Sequence, residues 1–184
     1  MSVDFAFIDS GTGGLPYMCY LNEKCPSASC IYVADAQNFP YGEKSTDEIC
    51  TCVTQLCEKI ISRFSPKVIV LACNTMSVTA LSVLRSKFDV SFIGTVPAIK
   101  LASSITKNKK IGLLATRRSV SENYTLKLIK DFASDCQVFS RGDGELISFI
   151  EHNLTSATEN EKLKAVKPAV DFFKENDVDT IILG

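Results

Sequence analysis

The chain has 184 residues, 46% of them hydrophobic and 22% charged, an ordinary balance for a globular protein with room for one large or two small cores. Its net charge is −1 and its 20 basic residues are scattered, which argues against a nucleic-acid or membrane partner. No apolar run reaches a membrane-spanning length, and the start from Met1 to Phe5 lacks a signal-peptide layout, so a cytoplasmic protein with reduced thiols is expected.

Val3 to Ile8 read as a first apolar strand, running into the turn Asp9-Ser-Gly-Thr-Gly-Gly14, with a helix from about Gly14 to Glu23. Cys30 to Ala34 form a second strand ending at Asp35. A polar loop through Gln37, Pro40, Tyr41 and Gly42 leads to a long helix, roughly Thr46 to Phe64. Val68 to Ala72 are a short, β-branched-rich run, the mark of a strand buried on both faces of a parallel sheet. From Asn74 the spacing turns helical, with Met76, Ala80, Leu81 and Leu84 on one side, as far as about Phe88. Ser91 to Gly94 make a fourth strand, and Thr95-Val-Pro97 marks a boundary. The alternation then restarts, with a strand over Lys110 to Ala115 and a helix over Ser119 to Ala133. A brief strand at Gln137 to Phe139 follows, then helices near Glu145 to His152 and Glu159 to Asn176, and a strand at Thr180 to Leu183. Strand alternating with helix means βαβ units. The expectation is an α/β protein of two lobes, residues 1–96 and 97–184, with mostly parallel sheets and a ligand cleft between them.

Three loops carry polar residues where these strands end: Asp9 with Ser10, Tyr41 with Gly42, and Cys73 with Asn74 and Thr75. In a parallel sheet such loops leave at one edge, where ligands bind. Thr116 ends the first strand of the second lobe in the same way and is expected to face the cleft. An acid, a thiol, hydroxyls and an amide suit a small molecule bearing carboxylates and an amine. Cys73 precedes a helix whose dipole favours thiolate, the form that acts as base or nucleophile, although a buried cysteine is also a common core residue. The glycines have rival readings. Gly11-x-Gly13 with Asp35 about 20 residues on resembles a dinucleotide fingerprint. Pro16 stands where its third glycine belongs, and a tight turn capped by Asp9 explains the glycines as well. With no Cys-x-x-Cys pair and His152 the only histidine, no metal site is expected. His152 and the Arg117-Arg118 pair read as solvated, and Cys136 as core.

Taken together, Asp9-Ser-Gly-x-Gly-Gly-Leu15, Pro40-Tyr-Gly-x-Lys44-Ser45, Ala72-Cys-Asn-Thr75 and Leu114-Ala-Thr116 resemble, in order, the signatures of the cofactor-independent aspartate/glutamate racemases, and of their glutamate branch in particular. The resemblance implies two pseudo-symmetric lobes holding glutamate between them, with one catalytic cysteine from each and no cofactor. Carried over by position, Cys73 is the first lobe's acid/base and Asp9 assists it. Ser10, Tyr41, Gly42, Asn74, Thr75 and Thr116, with Asp9, grip the substrate, and Glu151 stands near the site. The product, D-glutamate, feeds peptidoglycan synthesis. The resemblance allows a homodimer without fixing the oligomeric state. Ala98 departs from a glycine usual at the lobe junction. In the family Ile-Leu-Gly is followed by Cys-Thr-His, which carries the second acid/base. The sequence closes at Gly184, so a truncated copy with negligible racemisation is expected. A non-catalytic amino-acid-binding remnant and another cofactor-independent enzyme of the superfamily are the alternatives.

Overall fold

A computed structural model describes residues 2–184. The chain divides into two compact units, the first ending at Val96 and the second running Pro97–Gly184. In the first, the strands are β1 (Phe5–Asp9), β2 (Cys30–Ala34), β3 (Val68–Leu71) and β4 (Ser91–Gly94). They form one sheet in the order β2-β1-β3-β4, parallel throughout. The crossovers are helices α1 (Leu15–Lys24), α2 (Thr46–Phe64) and α3 (Asn74–Lys87).

The pleat sorts the apolar side chains by parity. Ala6, Ile8, Ile69 and Leu71 enter the main core with Ile49, Val53, Cys57 and Ile60 of α2 and Met76, Ala80 and Leu84 of α3. Phe7 and Val70 point to the opposite face, where Met18 and Leu21 of α1 pack. Both faces of the central strands are therefore covered, and this is why they read as unbroken apolar runs. A capping box starts α2: Ser45 accepts from the Glu48 amide, while the Glu48 carboxylate accepts from Ser45.

The second unit repeats the plan with β5 (Lys110–Ala115) between β6 (Gln137–Gly142) and β7 (Thr180–Leu183), again parallel. Its helices are α4 (Ile99–Ile105), α5 (Arg117–Ser121), α6 (Asn123–Phe132), α7 (Gly144–Asn153) and α8 (Glu159–Glu175). Ile111, Leu113, Ala115 and Ile182 pack with Ile99, Ala102 and Ile129 on one side. On the other, Phe173 of α8 presses so close that a Cβ at Gly112 would lie 2.7 Å from its ring. Ile181 and Leu183 remain exposed. Among the described residues, no helix is long and apolar enough to cross a membrane.

Several elements differ from the sequence reading. The first strand begins at Phe5 rather than Val3 and continues through Asp9, which pairs with Ala34. The single helix expected over Ser119 to Ala133 is broken at Glu122, whose backbone is extended (φ −66°, ψ 138°). Helix α4 was unforeseen because Pro97 reads as a breaker, yet it stands just ahead of a helix start, where its missing N–H costs nothing. Strand β6 runs on through Ser140, Arg141 and Gly142, whose polarity hides a strand end held by pairing to β5.

Candidate active site

The site follows from the register of β1 and β3. Ile8 lies opposite Leu71, and the Ala72 amide donates to the Ile8 carbonyl at 2.7 Å, so Asp9-Ser10 and Cys73-Asn74 leave the sheet side by side. The Ser10 Oγ and Cys73 Sγ come within 3.8 Å of each other. The base of this loop pair is tied down. The Leu71 carbonyl accepts from the Ser77 hydroxyl at 3.0 Å, from the Thr95 amide at 3.0 Å and from the Thr95 hydroxyl at 3.2 Å.

Asp9 is 5% exposed and its carboxylate is saturated with donors. Oδ1 accepts the Ser10 amide at 2.7 Å, with the Ser10 hydroxyl at 3.5 Å. Oδ2 accepts the Gly14 amide at 2.7 Å and faces the Tyr32 hydroxyl at 3.0 Å. Asp9 thus closes the glycine turn on itself. At Gly14 no side chain fits: an added Cβ would lie 2.4 Å from the Ala72 Cβ and 3.1 Å from the Tyr32 oxygen. The dinucleotide reading fails here. Asp35 is buried, its carboxylate taken by the Tyr41 hydroxyl at 2.6 Å and the Asn38 amide at 3.0 and 3.1 Å, so it has no part left for a ribose.

Cys73 is the N-cap residue of α3, in extended conformation and without a side-chain cap hydrogen bond. Its residue surface is only half-buried, but the sulfur itself is packed among protein atoms. That enclosure pushes the thiol up to about 11. The Met76 amide and Ser10 pull the other way, and the Asp9 charge adds to the rise. The expected helix-driven thiolate is therefore corrected: loss of hydration outweighs the helix terminus. Ionisation happens at the sulfur, so the surroundings of that atom decide, not the average exposure of the residue.

Tyr41 is only 1% exposed, its phenol spent on Asp35 rather than offered at the sheet edge. It still lies close enough to feel the Cys73 charge, and burial raises its own pKa first. Gly42 is half-buried in the single 3₁₀ turn Tyr41–Glu43. Asn74 and Thr75 are the first residues of α3, Asn74 half-buried and Thr75 4% exposed. Thr116 belongs to the second unit, where it caps α5 by accepting the Ser119 amide at 2.9 Å. Glu151 and His152 are exposed on α7, and the His152 Nδ1 lies 2.9 Å from the Ser148 carbonyl. Cys136 packs at the margin of the second core.

Tyr32 was missed by the sequence reading. Its only signal was a phenol inside the strand Cys30 to Ala34, since a partly buried tyrosine oxygen needs a partner.

A doubly covered parallel sheet with a thiol, a hydroxyl and a carboxylate at its carboxyl edge defines a class: α/β proteins with a polar candidate site where the strands end. The model of the Asp/Glu/Hydantoin racemase family matches residues 19–184, and the chain belongs to that family. It is 42% identical over 180 residues to the glutamate racemase of Treponema pallidum (strain Nichols), an alignment covering 98% of this chain and 67% of that one. The glutamate racemase of Photorhabdus laumondii is 39% identical over 178 residues, covering 96% of this chain and 61% of that relative. Among solved structures, Escherichia coli glutamate racemase in complex with L-glutamate and the activator UDP-MurNAc-Ala superposes with a TM-score of 0.85 at 35% identity, over 99% of this chain and 69% of that one. The chain thus spans about two thirds of the length of these proteins.

Proposed function

We propose that this chain acts in the interconversion of L- and D-glutamate, with Cys73 as one of the two acid/base groups that inversion requires. The 3.8 Å approach of Ser10 to Cys73 at the strand edge, in a chain this similar to glutamate racemases, carries the reading. In the base direction the Cys73 thiolate takes the α-proton: an S–H bond forms, the Cα–H bond breaks, and the electron pair spreads into the carboxylate. In the acid direction the thiol returns a proton to the same face. The opposite face needs a second group.

With its pKa near 11, Cys73 rests as the thiol at neutral pH, ready to donate. The base direction calls for a compensating positive charge, and the substrate ammonium supplies one when it displaces water. Asp9 fixes the turn and Ser10 orients the sulfur. Ser10, Gly42, Asn74 and Thr75 are the groups of the first unit assigned to hold the substrate. The D-glutamate formed is assigned to peptidoglycan synthesis in the cytoplasm.

The test is isotope exchange in D₂O with each enantiomer, read by the α-proton NMR signal, alongside iodoacetamide mapping with and without glutamate. Deuterium should enter at least one enantiomer and disappear in Cys73→Ala, and glutamate should slow alkylation of Cys73 alone. Exchange that survives Cys73→Ala, or Cys73 alkylation indifferent to glutamate, rejects the assignment.

A further inference from the structure

The Tyr32 hydroxyl lies 3.0 Å from Asp9 Oδ2 and 3.0 Å from the Gly11 carbonyl oxygen, so its single proton is shared between the carboxylate and the turn. We propose that Tyr32 is a positioning residue of the thiol site: it tempers the Asp9 charge and holds the Asp9-Ser10 turn in the orientation that meets Cys73. The proposal rests on the reading of Cys73 as an acid/base.

The geometry forms a relay across three neighbouring strands. Tyr32 stands opposite Phe7, two residues short of Asp9 on β1, which lets its ring reach along the strand to the carboxylate. Asp9 passes the constraint on through the Ser10 amide, and the Ser10 hydroxyl faces the sulfur. Burial, then the Asp9 charge, raise the Tyr32 pKa, so it stays a phenol and a donor. The titratable groups facing Cys73 are Asp9 of β1, Tyr32 of β2 and Tyr41 of the turn beyond β2. The first turn of α3, Asn74 to Ser77, carries no charge. Of the three, Asp9 supplies the charge that opposes the thiolate. A donor on Asp9 therefore eases ionisation of Cys73, and its removal makes ionisation harder.

A merely structural phenol would not produce the pattern this predicts. The rate of Cys73 alkylation at fixed pH is measured in glutamate-free protein by mass spectrometry. Tyr32→Phe should lower it about two- to tenfold, the worth of one ordinary hydrogen bond, and should move the midpoint of its pH profile upward. Asp9→Asn should raise the rate, and on that background Tyr32→Phe should add no further change. Site-specific replacement of Tyr32 by a fluorotyrosine, a stronger donor of nearly the same shape, should raise the rate in otherwise wild-type protein. It also decides the matter if Tyr32→Phe folds poorly. A Tyr32→Phe rate that is unchanged or higher overturns the proposal, as does an equal loss in the Asp9→Asn background or no response to fluorotyrosine. Because no glutamate is present, this result stands apart from the glutamate-protection test: a site that fails to bind glutamate still shows or lacks the Tyr32 effect.

Discussion

At Cys73 two physical effects of the same fold oppose each other. A helix N-terminus favours the thiolate, and packing against the main core favours the thiol. Packing wins, because removing a charge from water costs more than a partial dipole returns. Two consequences differ from ordinary expectation for a strand-end cysteine. In the ligand-free protein at neutral pH, Cys73 should alkylate more slowly than Cys19 and Cys25, whose side chains are exposed, and its rate should still be climbing toward pH 11. Peptide mapping of iodoacetamide rates across pH reads both, and a Cys73 rate that levels off below about pH 9 contradicts them. The place of this residue was legible in the sequence, because Cys-Asn-Thr interrupts an apolar run with groups that a core rejects. The direction of its pKa was not. That depends first on how the folded chain encloses the sulfur and then on Asp9, brought in from another strand end, and no local spacing announces either.

Among the elements, the junctions decide the site. Where the β1–α1 turn passes the β3–α3 turn, Gly14 leaves no room for a side chain: an added Cβ would lie 2.4 Å from the Ala72 Cβ. Gly14→Ala should therefore cost about 1–3 kcal/mol through overpacking. It should also shift Cys73, the next residue after Ala72, and so change the Cys73 alkylation rate while Cys19 stays as it was. Chemical denaturation with peptide mapping checks both, and a variant of wild-type stability removes the contact from the account. In the second unit, Leu113→Ala empties a fully buried position at the centre of β5 and should cost about 2–5 kcal/mol by denaturant melting. The parallel alternation of these elements was readable because β1, β3 and β5 are covered on both faces and so carry uninterrupted apolar runs. The break at Glu122 and the polar end of β6 were not, since tertiary pairing rather than propensity sets them.

At the scale of the molecule, the thiols and phenols that burial raises furthest lie in the first unit, while the second holds Cys136, raised by burial and Asp135. Burial raises Cys57 to about 12 and Cys73 to about 11, and raises Tyr32 and Tyr41 as well. An unfolded chain releases these protons first, near the ordinary values of 9.0 for cysteine and 10.0 for tyrosine. Their contribution is complete below about pH 9 and is lost as the pH climbs through the folded values. Pulse proteolysis with subtilisin at about pH 8 and about pH 10.5 should show residues 2–96 becoming the more susceptible part at the higher pH. Equal loss in both units contradicts this. The sheet orders carry one more consequence, for the order of events during synthesis. In each unit the earliest strand is a central one: β1 waits for β3, with Phe5 opposite Val68, and β5 waits for β7, with Ile111 opposite Thr180. On the ribosome each of these apolar strands emerges long before its last neighbour exists, with only β2 or β6 to shield one edge. The first sheet can close while the second is still being translated, so the nascent chain exposes one unfinished sheet at a time.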